Sequence, residues 1–178
     1  MLCDVSRIAT RPDEECEAAM IRLYKCDESG APVAYHEAWI EPHNRRIVEH
    51  WGYLGDAGET HTHRIHFFGS LEKQFTGVLQ PARALGFEEL PESAFSSLIV
   101  AYDARTYSDE DQGKLADIRD ALNEKLGWMG LGYCDDGRIE DGVMEIGCRV
   151  LNADQATAII ADALDGSVFA DYSRIYQE

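Results

Sequence analysis

Trp51-Gly52-Tyr53-Leu54-Gly55-Asp56-Ala57-Gly58 decides how the first half of this 178-residue chain is read. Three glycines within seven residues suit a hairpin in which the backbone needs positive φ or close approach. The flanks alternate as strands do. Upstream, Ile47, Glu49 and Trp51 share one face, and Val48 and His50 the other. Downstream, residues 59–68 read as a second strand, with His61, His63, Ile65 and Phe67 on one face. Ser70 then offers an N-cap to a helix carrying Phe75, Val78, Leu79, Ala82 and Leu85, and Gly86 offers its end. Pro81 predicts a break in that helix.

Working outward, residues 20–26 and 33–40 read as two further strands joined by the turn Asp27-Glu28-Ser29-Gly30. Pro12-Asp13-Glu14-Glu15 reads as the first turn of a short helix. The order Trp51-Gly52, Leu54-Gly55, Gly58, helix, Gly86-Phe87 resembles the WGR domain over residues 20–90. The resemblance implies a small antiparallel sheet packed on one helix. Tyr53 stands where that family has arginine. The family's contact with DNA is therefore not expected to carry over, because arginine is the group that would pair with phosphate.

Residues 88–93 are polar and contain Pro91, which marks a linker. The expected domains are 1–90 and 95–178. After the linker comes an apolar strand at 98–102, then Ser108 and Asp111 spaced as a capping box. Leu115, Ile118, Leu122 and Leu126 form the apolar stripe of the helix that follows. Strands at 128–134 and 143–151 flank an acidic loop, residues 135–142. A helix capped by Asn152 or Asp154 and a last strand at 169–176 complete the pattern. This is β-α-β-β-α-β, similar to ferredoxin-like domains in topology. The fold class expected is α+β: a WGR-like sheet plus helix, followed by a ferredoxin-like unit.

The net charge is −17, from 16 Lys/Arg against 33 Asp/Glu, and both halves are acidic. Residues 1–95 hold 9 basic and 16 acidic side chains, and residues 96–178 hold 7 and 17. Such a field repels nucleic acid and anionic membranes and attracts a basic partner. No apolar run is long enough to span a bilayer and no signal peptide is evident, so a cytoplasmic chain is expected. The five cysteines show no C-x-x-C spacing, which predicts reduced thiols.

No phosphate loop, nucleophile elbow or H-E-x-x-H motif is present. The acidic loop lacks the ligand order of an EF-hand. His61 and His63 point to one strand face and raise a metal-dependent hydrolase as an alternative, but the spacing supplies no third ligand, so no metal and no cofactor are expected. The leading expectation is a non-enzymatic, acidic protein-binding module, in the manner of an immunity-protein-like inhibitor of a basic partner. A WGR-type nucleic-acid-associated protein is a further alternative, for which a basic groove of Arg45, Arg46 and Arg64 beside Trp51 would speak. Aromatics set among acids suit an interface, where the rings anchor and the charges steer. The binding residues expected are Trp51, Tyr53, Tyr133, Asp135, Asp136, Glu140 and Asp141.

Overall fold

A computed structural model describes residues 20–103, 108–135 and 137–178. The helix expected at Pro12, the cysteines Cys3 and Cys16, Tyr107 and the binding candidate Asp136 lie outside the described residues. The fold is α+β, as the sequence pattern predicts. Two compact units form: one runs to Tyr53 and continues at Gly58–Leu90, and the other comprises Leu54–Ala57 with Pro91–Glu178. The division at residue 90 falls inside the expected linker. The middle of the Gly-rich turn, however, belongs to the second unit.

In the first unit, β1 (Met20–Cys26), β2 (Pro32–Glu41), β3 (Arg46–Tyr53) and β4 (Glu59–Arg64) form an antiparallel meander. Alternation places Ile21 and Leu23 of β1, Ala38 and Ile40 of β2, and Ile47 of β3 on one face. Against it packs α1 (Leu71–Ala84) through Phe75, Leu79 and Ala82, all buried. The helix runs through Pro81 rather than breaking there. Pro81 is exposed and lies in the last turn, so the ring removes one bond to the Gly77 carbonyl without meeting the sheet. β4 is shorter than its alternation predicts. It ends at Arg64, and Phe67 and Phe68 lie beyond it, 82% and 94% exposed.

The second unit contains β5 (Ser96–Asp103), α2 (Asp109–Trp128), β6 (Gly132–Cys134), β7 (Arg138–Glu140), β8 (Val143–Val150), α3 (Ala153–Asp165) and β9 (Tyr172–Gln177). Its sheet has the order β6-β8-β5-β9, all neighbours antiparallel. This is the split β-α-β arrangement that the ferredoxin-like pattern predicts, with β7 added. Ser108 and Asp111 make the capping box of α2. Asn152 caps α3 through its side-chain oxygen, which accepts the Gln155 N–H at 3.0 Å. Ile118, Leu122 and Leu126 of α2 and Ile160 and Leu164 of α3 pack on Leu98, Val100, Ile146, Cys148 and Val150. Among the described residues no helix is long and apolar enough to cross a membrane.

Cys134 and Cys148 are opposite one another on β6 and β8 and are joined by a disulfide. The expectation of five reduced thiols is corrected here. The pairing follows from strand register: Asn123 of α2 accepts the Cys134 N–H at 2.6 Å, so that N–H turns from β8 and the two side chains meet. Sequence spacing of 14 gives no hint of it. Denatured, unreduced protein should titrate two thiols short of five. Reduction should lower the unfolding free energy by about 3 kcal/mol, the loop-closure value for a ring of this size, read from chemical denaturation with and without reductant. A full count of five thiols would show the bond absent in solution.

Candidate functional site

The acidic stretch is not one solvated loop. β6 and β7 lie along the same edge of β8. The turn is the dipeptide Asp141-Gly142, with φ of 51° and 81°. Two consecutive positive φ values define the tight turn that matches strand twist, and Asp-Gly is the pair that tolerates it. Glu140 and Asp141 are thereby held exposed at a hairpin tip. Behind them, Glu145 accepts the Tyr176 hydroxyl at 2.7 Å and Arg138 at 2.6 and 2.8 Å. These bonds hold its carboxyl below the usual carboxylate range.

The other expected binding residues do not gather at this tip. Tyr133 pairs with Arg149 on β8, and Glu140 with Val143, so six residues of strand, about 20 Å, separate them. The Tyr133 hydroxyl donates to Glu92 Oε2 at 3.0 Å, and partial burial together with that carboxylate pushes its pKa up to about 12. Asp135 is held by Arg149 at 3.2 Å. Trp51 and Tyr53 are on β3 of the first unit. Trp51 stacks on His36, ring centres 5.7 Å apart, and Tyr53 is exposed.

The first unit holds two polar clusters that sequence reading did not assemble. On the face opposite α1, Glu37 is buried between two strands. Its Oε2 accepts Arg22 Nε from β1, and its Oε1 accepts His50 Nδ1–H from β3 at 2.8 Å. His50 Nε2 lies 3.1 Å from the Tyr35 hydroxyl. With Nδ1 donating to the carboxylate, a neutral imidazole accepts the Tyr35 O–H at Nε2, so both ring nitrogens are satisfied. A Cβ on Gly58 would strike the Tyr35 hydroxyl and the Trp51 carbonyl, and one on Gly52 would come within 2.8 Å of the Gly58 Cα. The Trp-Gly and Gly58 spacing is thus set by backbone closing over this relay. His50 is fully buried, so the relay braces the sheet and offers no surface for a reacting molecule.

On the α1 face, Glu49 bridges His36 Nε2 at 2.7 Å and His63 Nε2 at 2.6 Å, and His61 sits edge-on to His63 with ring centres 4.7 Å apart. Among the described residues no group of three or more His, Cys, Asp or Glu side chains is arranged to hold a metal. The Nε2 of His63 is taken by Glu49. Nor do the arginines make a groove beside Trp51. Arg46 and Arg64 pair across β3 and β4 and leave from the face of His50, whereas Trp51 leaves from the face of Glu49. The signal for both clusters was in the alternation: Arg22, Glu37 and His50 are register partners, but register is not written in any one strand.

Comparison with family models, with curated proteins and with solved structures finds no match to this chain.

Two measurements test these assignments. Glu37→Ala should destabilise the fold by about 3–5 kcal/mol, because Arg22 loses its counter-charge and the buried His50 Nδ1–H its acceptor; a loss below 1 kcal/mol by denaturant titration would contradict the relay. For Tyr133 the folded state keeps the phenol proton beyond the unfolded value near 10, so the folded state binds more protons between about pH 10 and 12. Its contribution to stability is full below that window and is lost as the pH rises through it. Burial also holds Tyr102 high, so ultraviolet titration should show more than one late phenol; Tyr133→Phe should lose one of them, and Glu92→Gln should shift one earlier.

Proposed function

We propose that this chain is a non-enzymatic, acidic binding module that docks a basic protein, in the manner of an immunity-protein-like inhibitor. The observation that carries the reading is the β7–β8 hairpin, whose Asp141-Gly142 turn fixes two exposed carboxylates at the tip of a molecule of net charge −17. A rigid tip presents charge without the ordering cost of a flexible loop. The remaining field steers a cationic partner toward the surface.

A WGR-like character of the first unit belongs to the same proposal. A four-stranded antiparallel sheet followed by one packed helix supports it, as does the close approach at Gly52 and Gly58. A cytoplasmic location is also proposed. The cytoplasm keeps thiols reduced, so the state of Cys134 and Cys148 trapped in intact cells bears directly on that part.

The test is affinity capture from the source cell, followed by stopped-flow association with the captured protein at two salt concentrations. The partner should be basic. The double variant Glu140→Gln, Asp141→Asn should associate several-fold more slowly with a flatter salt dependence, because long-range attraction acts over a Debye length of about 8 Å at physiological salt. Dissociation should change less. An acidic partner, or unchanged rates and salt slope, would remove the basis of the proposal.

A further inference from the structure

The first unit carries a surface of the opposite character. The segment after β4 presents Phe67 and Phe68 almost wholly exposed. The segment is held in place: Ile65 N–H donates to the Arg45 carbonyl at 3.0 Å, and the Gln74 side chain bonds both the N–H and the carbonyl of His66, at 2.8 and 3.2 Å. The Arg45 guanidinium lies 3.8 Å from the centre of the Phe67 ring. Arg46 and Arg64 are cross-strand partners at the adjoining end of β3 and β4, and Arg46 is held by Glu41 at 2.6 Å. Two adjacent aromatics rimmed by arginine form a protruding apolar anchor with a cationic collar, of the composition that dominates binding energy at protein interfaces.

The acceptor it fits sets carboxylates around an apolar side chain. The second unit carries one. A depression of about 200 Å³ is lined by the apolar Val143 together with the charged Glu140, Asp141, Glu145 and Arg138. Arg138 is bound to Glu145, which leaves the hairpin-tip carboxylates as the free rim. The volume takes one phenyl ring, and the charges match the arginine collar. We infer that the Phe67–Phe68 tip docks into the β7–β8 hairpin depression of a second copy of this chain, in a head-to-tail contact. The two surfaces differ, so the contact is heterologous, and each copy can give a tip to one neighbour and accept a tip from another. Like net charge opposes association, but at physiological salt it is screened beyond about 8 Å, and the pairs at the contact decide. The inference uses the same hairpin as the proposed partner. A second copy therefore competes for it, and the contact is tested with the chain alone.

Sedimentation velocity over roughly 10 to 500 µM suits a contact of this small size. The weight-average mass of the wild type should rise above 19.9 kDa with concentration. Phe67→Ser with Phe68→Ser, which removes both rings from exposed positions, should hold it at the monomer, and so should Glu140→Gln with Asp141→Asn. An equimolar mixture of the two variants retains one good tip and one good depression per pair. It should regain association that stops at a dimer. A monomeric wild type throughout the range overturns the inference and leaves the basic-partner proposal standing. So does self-association that survives in either variant, or a mixture that stays monomeric.

Discussion

The carboxylate of Glu37 sits where three strands must agree. It takes Arg22 from β1 and His50 from β3 while belonging to β2 between them, and it is almost fully buried. A charge in that position is tolerable only when it is paired and hydrogen-bonded, so the sheet has one register in which Glu37 is satisfied. A slip of one residue would turn Arg22 and His50 to the other face and strand the carboxylate. The same register places Leu23, Ala38 and Ile47 toward α1. It also brings the Tyr35 hydroxyl against the backbone at Gly52 and Gly58, where a side chain has no room. Glycine spacing, helix packing and the polar relay are therefore consequences of one alignment.

The second unit is organised differently. Its helices and sheet bury a continuous apolar core, and its polar specificity is confined to the edge of β8. There two short strands follow one another, with the disulfide beside β6 and the Asp-Gly turn closing β7. Splitting the edge has a functional consequence. It separates Tyr133 and Asp135, which are engaged by Glu92 and Arg149, from Glu140 and Asp141, which remain presented. An acidic run that looks uniform in sequence is thus divided into a structural part and an available part.

Charge is unevenly employed as well. Several carboxylates serve within the fold: Glu37 and Glu49 pair with arginine or histidine across strands, and Glu145 with Arg138 and Tyr176. Arg45 stands over the exposed Phe67 ring, and Glu140 and Asp141 stand exposed at the hairpin tip. That is why they, rather than the buried histidine relay, carry the functional readings.

The sequence by itself determined the α+β class, the strand and helix order of the described residues apart from β7, the capping box at Ser108 and a cap for α3 at Asn152 or Asp154. Each of these rests on local periodicity or on side chains within a few residues of each other, which any single segment displays. It did not determine the Cys134–Cys148 pairing, the relay of Arg22, Glu37, His50 and Tyr35, the end of β4 at Arg64 or the passage of α1 through Pro81. Pairing across strands depends on register, which is fixed jointly by residues far apart in the chain. The end of β4 depends on where its partner strand stops: β3 begins at Arg46, opposite Arg64, and only the Ile65 N–H bond to the Arg45 carbonyl continues past that point. That one endpoint left Phe67 and Phe68 in solvent instead of on a strand face, and only the tertiary structure could place it.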